Sequence, residues 1–306
     1  MGWLNLSSLR NLFANRSTTR LLGMTERQFQ EWVDLHRLYL ALAYHDERDD
    51  VHAEEDPTET LTEEAASKSI EELRSSVMDL ARRQVEDMMA DENCSRGACS
   101  VRVDLSGIDG AGDGVWLDGV AQVGQVVALF PGLIYGPKQV RDIPGYPSFG
   151  SQSDFLMSRF DGYMIDSRAW MFHVDGNMEG YNAMRKRTGR SLEDAASQNG
   201  TQNFSEESLT NAWAVGHMVN HPTRDGSPNI MPVPVNWTTC DHRLDACLPW
   251  ALFSSGKTLK GLAFVAKRHI EDEELFVDYR LNPGVIGGVP EWYHHVDQSE
   301  DVRRWS

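Results

Sequence analysis

Two short segments constrain this chain more than any other part of it. The first, Gly216-His217-Met218-Val219-Asn220-His221-Pro222, is an apolar run that ends in an amide and an imidazole. The second, Glu273-Glu274-Leu275-Phe276-Val277-Asp278-Tyr279, is an acidic turn, an apolar strand and a terminal tyrosine. Taken singly, the first is an Asn/His/Pro turn of the sort common in loops, and the second a hairpin with a packed tyrosine. Together, in this order and with a third segment upstream, they restrict the fold far more.

The upstream segment is Gly110-Ala111-Gly112-Asp113-Gly114-Val115-Trp116, a glycine cluster running into a strand. Glycine tolerates positive φ and lets another group approach the backbone closely; a plain glycine turn between strands is the other reading. From Ser100 the pattern is one of short strands. Val101-Arg102-Val103 alternates, Val115-Trp116-Leu117 follows the glycines, and Val126-Val127-Ala128-Leu129-Phe130 is a buried-type run that Pro131-Gly132 is expected to end. Phe160 to Ile165 reads as a further strand with a turn at Asp161-Gly162, and Gly261 to Ala266 as another buried strand. Residues 170–210 are polar and rich in Gly, Ser and Asn, with a basic patch at Arg185-Lys186-Arg187, and are expected to be an insertion, partly helical around Leu192 to Ala196. A mostly β domain over residues 98–282 follows, without internal repeats.

Residues 25–97 are expected to form a helical appendage. Thr25 and Glu26 open a helix with Phe29, Trp32, Val33, Leu35, Leu38, Tyr39 and Leu42 on one broad face. From Asp46 to Glu64 the composition turns acidic and loses apolar periodicity, as in a solvated linker. A second helix is expected from about Thr62 to Ala90, with an apolar stripe interrupted at Arg83 and Gln84, so the two read as a helical hairpin packed on the main domain. Residues 1–24 carry Arg10, Arg16 and Arg20 and no acid, which fits either a transit peptide or an ordinary basic helix. Localisation is accordingly expected to be intracellular: nucleus or cytoplasm, or mitochondrion or plastid if the first segment is a transit peptide. Residues 283–306 form a C-terminal segment.

The formal charge of -17 leaves no broad basic face for nucleic acid, whereas a basic protein tail is steered in by an acidic surface. No apolar run approaches the ~20 residues that span a bilayer. Among 306 residues the cysteines fall in two loose pairs, Cys94/Cys99 and Cys240/Cys247, without the close spacing of structural zinc, and no metal site is expected.

The three segments resemble the signature motifs of SET-domain protein lysine methyltransferases. Gly112-Asp113-Gly114 is similar to their GxG, and Gly124-Gln125-Val126-Val127 with Pro131-Gly132 to the strand-turn-strand that follows it. Asn220-His221 resembles the NH of RFINHSC, and Glu273 to Tyr279 resembles GEELTxDY. Three departures stand out: Pro222 for Ser or Cys, His217 where Arg is common, and Asp272 for Gly. The zinc-binding cysteines that follow the domain in many members are replaced by Pro290-Glu291-Trp292-Tyr293-His294-His295.

The resemblance implies an α+β, mostly β SET fold, β-clip-like and tied as a pseudoknot, with S-adenosyl-L-methionine as cofactor and a protein bearing a target lysine as partner. It implies Tyr279 as catalytic residue and Gly112, Gly114, Val115, Trp116, Asn220 and His221 as cofactor contacts. Trp292 is expected either to stack on the adenine or to anchor the tail on the core, and His294-His295 to lie in a solvated tail. A SET-fold binding or scaffold protein without transferase activity is the alternative that the departures keep open.

Overall fold

Two capping boxes start the N-terminal helices. Ahead of α1 (Glu26–Asp46) the Thr25 amide donates to Gln28 Oε1 at 2.9 Å and the Gln28 amide to Thr25 Oγ1 at 3.1 Å. Ahead of α2 (Ile70–Ala90) the Ser69 amide donates to Glu72 Oε2 at 2.7 Å and the Glu72 amide to Ser69 Oγ at 3.3 Å. Each pair satisfies amides that the first helical turn leaves without partners. The computed structural model describes residues 4–5, 25–46, 60–61, 69–90, 99–146, 155–175, 206–238, 242–253, 258–284 and 288–306. Most of the basic segment 1–24, most of the acidic linker, the region 176–205 of the expected insertion and Cys94 and Cys240 lie outside them. Leu4–Asn5 pairs antiparallel with Thr60–Leu61.

The helical pair expected from the sequence is present, but in parallel and not as an antiparallel hairpin. Near their starts Arg74 of α2 meets Glu31 of α1 at 2.5 Å. Near their ends Gln84 Nε2 donates to the Gly124 carbonyl at 3.0 Å, and a Cβ built on Gly124 would collide with the Ala41 carbonyl. Both contacts can hold only if the axes run the same way. The chain between Asp46 and Ile70 permits this, since at ~3.3 Å per residue it can return along a helix of ~30 Å. Leu35, Leu38 and Leu42 of α1 and Leu73, Val77 and Leu80 of α2 share one buried core with the strands. The polar break in the α2 stripe has a use: Gln84 Oε1 also accepts from the Val126 amide at 2.9 Å.

In chain order the strands are β1 (Cys99–Leu105), β2 (Asp113–Ala121), β3 (Val126–Phe130), β4 (Gly132–Tyr135), β5 (Leu156–Ser158), β6 (Met164–Asp166), β7 (Ile230–Thr238), β8 (Trp250–Leu252), β9 (Thr258–Ala266) and β10 (Ile270–Glu271). They form three small sheets besides the Leu4–Asn5 pair: β10-β2-β1, β3-β9-β7 and β8-β4-β6-β5. All pairings in these three are antiparallel except β8 with β4. With its few helices the chain is of the α+β class, as the sequence implied.

Pro131-Gly132 ends β3 at Phe130 as expected, and β4 begins at Gly132 in another sheet, paired with β8. Two local expectations are corrected. Phe160 to Ile165 is not one strand. The chain turns there, with the Gly162 amide donating to the Arg159 carbonyl at 3.1 Å, so β5 and β6 pair back to back, Ser158 opposite Met164; Asp-Gly is itself turn chemistry. The expected insertion does not begin at residue 170, since α3 (Arg168–Asp175) packs there with Ala169 and Trp170 buried.

Arg159, at the β5–β6 turn, pins this hairpin to the central sheet. Its side chain is fully buried. Nη1 donates to the Val235 and Gly261 carbonyls at 2.8 and 2.5 Å, Nη2 to Asn236 Oδ1 at 2.8 Å, and Nε and Nη2 to the Asp161 carboxylate at 3.0 and 2.9 Å. The remaining α-helices among the described residues are the short Glu206–Leu209 (α4) and His242–Cys247 (α5), and the C-terminal Gln298–Trp305 (α6).

Candidate functional site

The segment 273–277 lies between chain stretches distant in sequence. On one side the Leu117 amide donates to the Glu273 carbonyl at 2.8 Å and the Leu275 amide to the Val115 carbonyl at 2.7 Å. On the other the Val277 amide donates to the Asn220 carbonyl at 3.0 Å, and the Ile230 amide to the Phe276 carbonyl at 3.2 Å. The buried Asn229 closes the crossing: Nδ2 donates to the Glu274 carbonyl at 2.8 Å and Oδ1 accepts from the Phe276 amide at 2.7 Å. Asp272 enters the segment at φ 47°, a left-handed conformation that Asp tolerates better than most residues. Its Oδ1 accepts from the Gly119 amide at 2.7 Å, so the aspartate fulfils the turn for which the resemblance has glycine.

The crossing brings Asn220, His221 and Tyr279 together. Tyr279 donates its hydroxyl to the Val219 carbonyl at 3.0 Å, and its amide to His221 Nδ1 at 3.3 Å. Because Nδ1 accepts, Nε2 is the donor toward the His294 carbonyl at 2.7 Å. The His221 ring packs on Tyr293 at 4.5 Å between centroids and lies 5.4 Å from Tyr279. Trp292 stands edge-on to Tyr279 at 6.1 Å and is 53% exposed. The tail anchor is thus Tyr293, 4% exposed, whose hydroxyl accepts from the Leu281 amide at 3.1 Å. Nor is the His294-His295 stretch a solvated tail: His221 holds the one backbone and Asp301 the other imidazole, at 2.6 Å. Arg280, next to Tyr279, has φ 51°, a conformation that costs a non-glycine residue about 1–2 kcal/mol and gathers at functional sites.

The glycine segment divides. Gly112 sits at φ 78° in a turn whose Cβ position faces open space. Gly114 is buried, and a Cβ there would collide with Glu274 Oε1 and lie 3.1 Å from Asn220 Nδ2. Its close neighbour is therefore a carboxylate of this chain. The buried Glu274 accepts from Ser106 Oγ at 2.6 Å and the Gly107 amide at 2.7 Å, and Asn220 Nδ2 donates to the Asp113 carbonyl at 3.0 Å. Val115 is a core residue. The Trp116 indole donates to the Leu105 carbonyl at 3.1 Å beneath the Arg102 guanidinium, so only the backbone of 115–116 reaches the crossing.

Tyr279 also lines a cleft of about 440 Å³ bounded by α1, the β5–β6 hairpin, β7 and α6. His217 lines it as well. Burial lowers the pKa of that imidazole to about 4, and its Nδ1 has no hydrogen-bond partner among the described residues. Asp34 forms part of the wall; burial pushes its carboxyl up, but Arg280 and Arg304 outweigh this and hold it below the ordinary aspartate range. Arg304 Nη1 meets Asp34 at 2.5 Å and Arg280 Nη1 at 3.6 Å. α6 is fixed there by the Asp297 cap, by Arg37 paired through both guanidinium nitrogens with Glu300 at 2.9 and 3.2 Å, and by Trp305 Nε1 donating to the Arg280 carbonyl at 3.0 Å.

The sequence alone does not place His217, Glu274, Asp34, Tyr293 or Arg304 at the site. The one signal for α6 was Asp297-Gln298-Ser299-Glu300, an N-cap followed by a glutamate three residues on.

No family model matches the sequence, and no curated protein matches it. Solved structures similar to this chain include ctPRC2 in an autoinhibited conformation bound to S-adenosylmethionine, at 15% identity and a TM-score of 0.31, covering 65% of this chain and 19% of that one. ATXR5 in complex with histone H3.1 mono-methylated on an arginine is similar at 14% identity and a TM-score of 0.30, covering 72% of this chain and 67% of that one. The chain spans less than a fifth of the first of these, and a likeness this distant says nothing of what it binds.

Proposed function

We propose that this chain is a SET-domain protein-lysine N-methyltransferase dependent on S-adenosyl-L-methionine. One observation carries the reading: the segments resembling the family's two signature motifs cross at hydrogen-bonding distance, Val277 on Asn220, and present Tyr279 at the wall of a cleft. Residues 126–135, 160–166 and 214–220 resemble SET domain-containing protein 9, and we read the chain as similar to that member.

The residues assigned to hold the cofactor are Gly112, the backbone of 114–116, Asn220, His221 and Trp292. The exposed indole of Trp292 and the open space at Gly112 fit that role. When bound, the cofactor supplies an electrophilic sulfonium methyl group. The protein's share is to deliver a neutral amine. Lysine has a pKa of ~10.4, so removing its proton at pH 7 costs about 4.6 kcal/mol. Desolvation against Phe160, Leu262 and the prolines of β7 lowers that cost. The backbone of Tyr279 is held by His221 and its hydroxyl by the Val219 carbonyl, which orients the hydroxyl oxygen to align the amine. Its role is one of orientation, since its hydroxyl proton is engaged by the Val219 carbonyl and leaves the oxygen free to accept.

Tyr279→Phe is expected to keep fold and cofactor affinity and to lose about 10²–10³ in single-turnover methyl transfer. Transfer within a few-fold of wild type would refute the mechanism.

One observation favours the alternative, a binding or scaffold protein of this fold: Gly114 opens onto Glu274 and not onto free space. Calorimetry with S-adenosylhomocysteine, followed by labelled transfer onto lysate proteins, decides between them.

A further inference from the structure

We propose that the outer edge of β1 is a docking surface for a second copy of this chain, and that the two β1 strands pair antiparallel about a two-fold axis at Val103. The inference does not rest on the methyltransferase reading.

Among the described residues β1 is the last strand of its sheet, bonded to β2 alone. The far side of β2 tells which of its backbone groups face outward. There the Leu117 amide and the Val115 carbonyl bond to residues 273–275, so in an alternating ladder Gly114, Trp116 and Asp118 are the residues that bond to β1. They lie opposite Asp104, Arg102 and Ser100. The Ser106 amide keeps the same phase, donating to the Gly112 carbonyl at 2.9 Å. The amides and carbonyls of Val101, Val103 and Leu105 therefore point away from β2. Leu105 is provided for locally, its amide donating to Asp104 Oδ1 at 2.8 Å and its carbonyl accepting from the Trp116 indole. Val101 and Val103 have no such partner among the described residues. An edge of seven residues that carries Val103 at 43% and Leu105 at 73% exposure is a template for another strand.

The side chains choose the occupant and the register. In a symmetric antiparallel pair each face of the sheet keeps its own side chains, so the axis passes through a residue and not between two. Centred on Arg102 or on Asp104, the pairing sets like charges face to face, which destabilises it. Centres at Val101, or closer to either end of β1, leave Asp104 with no strand residue opposite. Centred on Val103, Arg102 lies opposite the second copy's Asp104 on both sides of the axis, and Val101 lies opposite its Leu105. In its own chain Arg102 meets Asp104 and Asp118, the latter at 3.0 Å. These three side chains are 44%, 59% and 46% exposed, and such pairs are weak and readily exchanged. Arg102 thus keeps Asp118 and trades one Asp104 for the other. The Leu105 amide, passing to the second copy's Val101 carbonyl, frees the Asp104 oxygen that it held. The backbone bonds and the apolar contacts of Val101, Val103 and Leu105 supply the attraction, and the charges fix the register.

The test is sedimentation velocity of the full chain over a concentration series, in reducing buffer so that no disulfide links two copies. Wild type is expected to pass from monomer to dimer. Val103→Pro removes the amide at the axis and spares the bonds to β2, an exchange that an outward-facing edge position tolerates. It should weaken association about tenfold or more while keeping the circular dichroism of wild type. Arg102→Asp and Asp104→Arg each set like charges opposite one another in a homodimer, and each is expected to be monomeric. Mixed in equal amounts, these two variants should form a heterodimer, because each supplies the charge that the other lacks. This arm stands even if Val103→Pro fails to fold. A wild type that stays monomeric at every concentration overturns the proposal. So does a dimer that persists in all three variants, or a mixture of the two charge variants that remains monomeric.

Discussion

At the scale of single residues the site is built from groups that are neutral or satisfied because of where they lie, and His217 is the clearest. Burial takes its pKa from 6.5 to about 4, so the unfolded chain binds this proton more readily than the folded one. Stability is whole above pH 6.5 and is lost as the pH falls toward 4, by about 3 kcal/mol at 1.36 kcal/mol per unit. Urea unfolding of wild type and His217→Gln at pH 7.0, 5.5 and 4.5 checks this. The two curves should diverge in slope only below pH 6.5, with the variant losing less. Parallel pH dependence would show the imidazole to be hydrated. Asp272 makes the same point without titrating: it occupies a left-handed turn and uses its carboxylate to hold Gly119, so a departure from the motif at the level of letters is not one at the level of conformation.

Elements show what could and could not be read ahead of the structure. Val126–Phe130 was legible to the residue, because a run buried on every side is apolar throughout. β7 was not, because Pro232 and Pro234 interrupt it; it survives as an edge strand, bonded within its sheet to β9 alone, where a missing amide is tolerated. The meeting of Asn220, His221 and Tyr279 was legible from motif order. The cleft was not, since its walls come from α1, a hairpin, an edge strand and a C-terminal helix, and no spacing in the sequence records their contact. The hairpin wall depends on one side chain. Arg159→Met leaves the Val235 and Gly261 carbonyls and the Asp161 carboxylate without their donor. Breaking a buried charged network of this kind costs about 3–5 kcal/mol. Denaturant unfolding should show that loss, and a change below about 1 kcal/mol would mean that the carbonyls find other partners.

For the whole molecule the unexpected feature is that the helices α1 and α6 meet. α6 lies on α1, so the cleft wall near Tyr279 depends on contacts between residues some 260 positions apart, as with Arg37 and Glu300. Both side chains are largely covered, at 15% and 10% exposure, and the pairing is two-pronged. Water therefore screens it little, and each single substitution strands a partly buried charge. A double-mutant cycle with Arg37→Met and Glu300→Gln should give a coupling of about 1–3 kcal/mol. Arg82 and Glu86, one helical turn apart on α2 and 38% and 40% exposed, provide the internal control. Their coupling should stay near 0.3–0.5 kcal/mol. Raising the salt to about 0.5 M, where the screening length falls well below ~8 Å, should erase the control and leave most of the Arg37–Glu300 term. If both couplings are small, or if both vanish in salt, α6 is held by Trp305 and the apolar contacts alone, and the charged seam between α1 and α6 contributes nothing to closing the cleft.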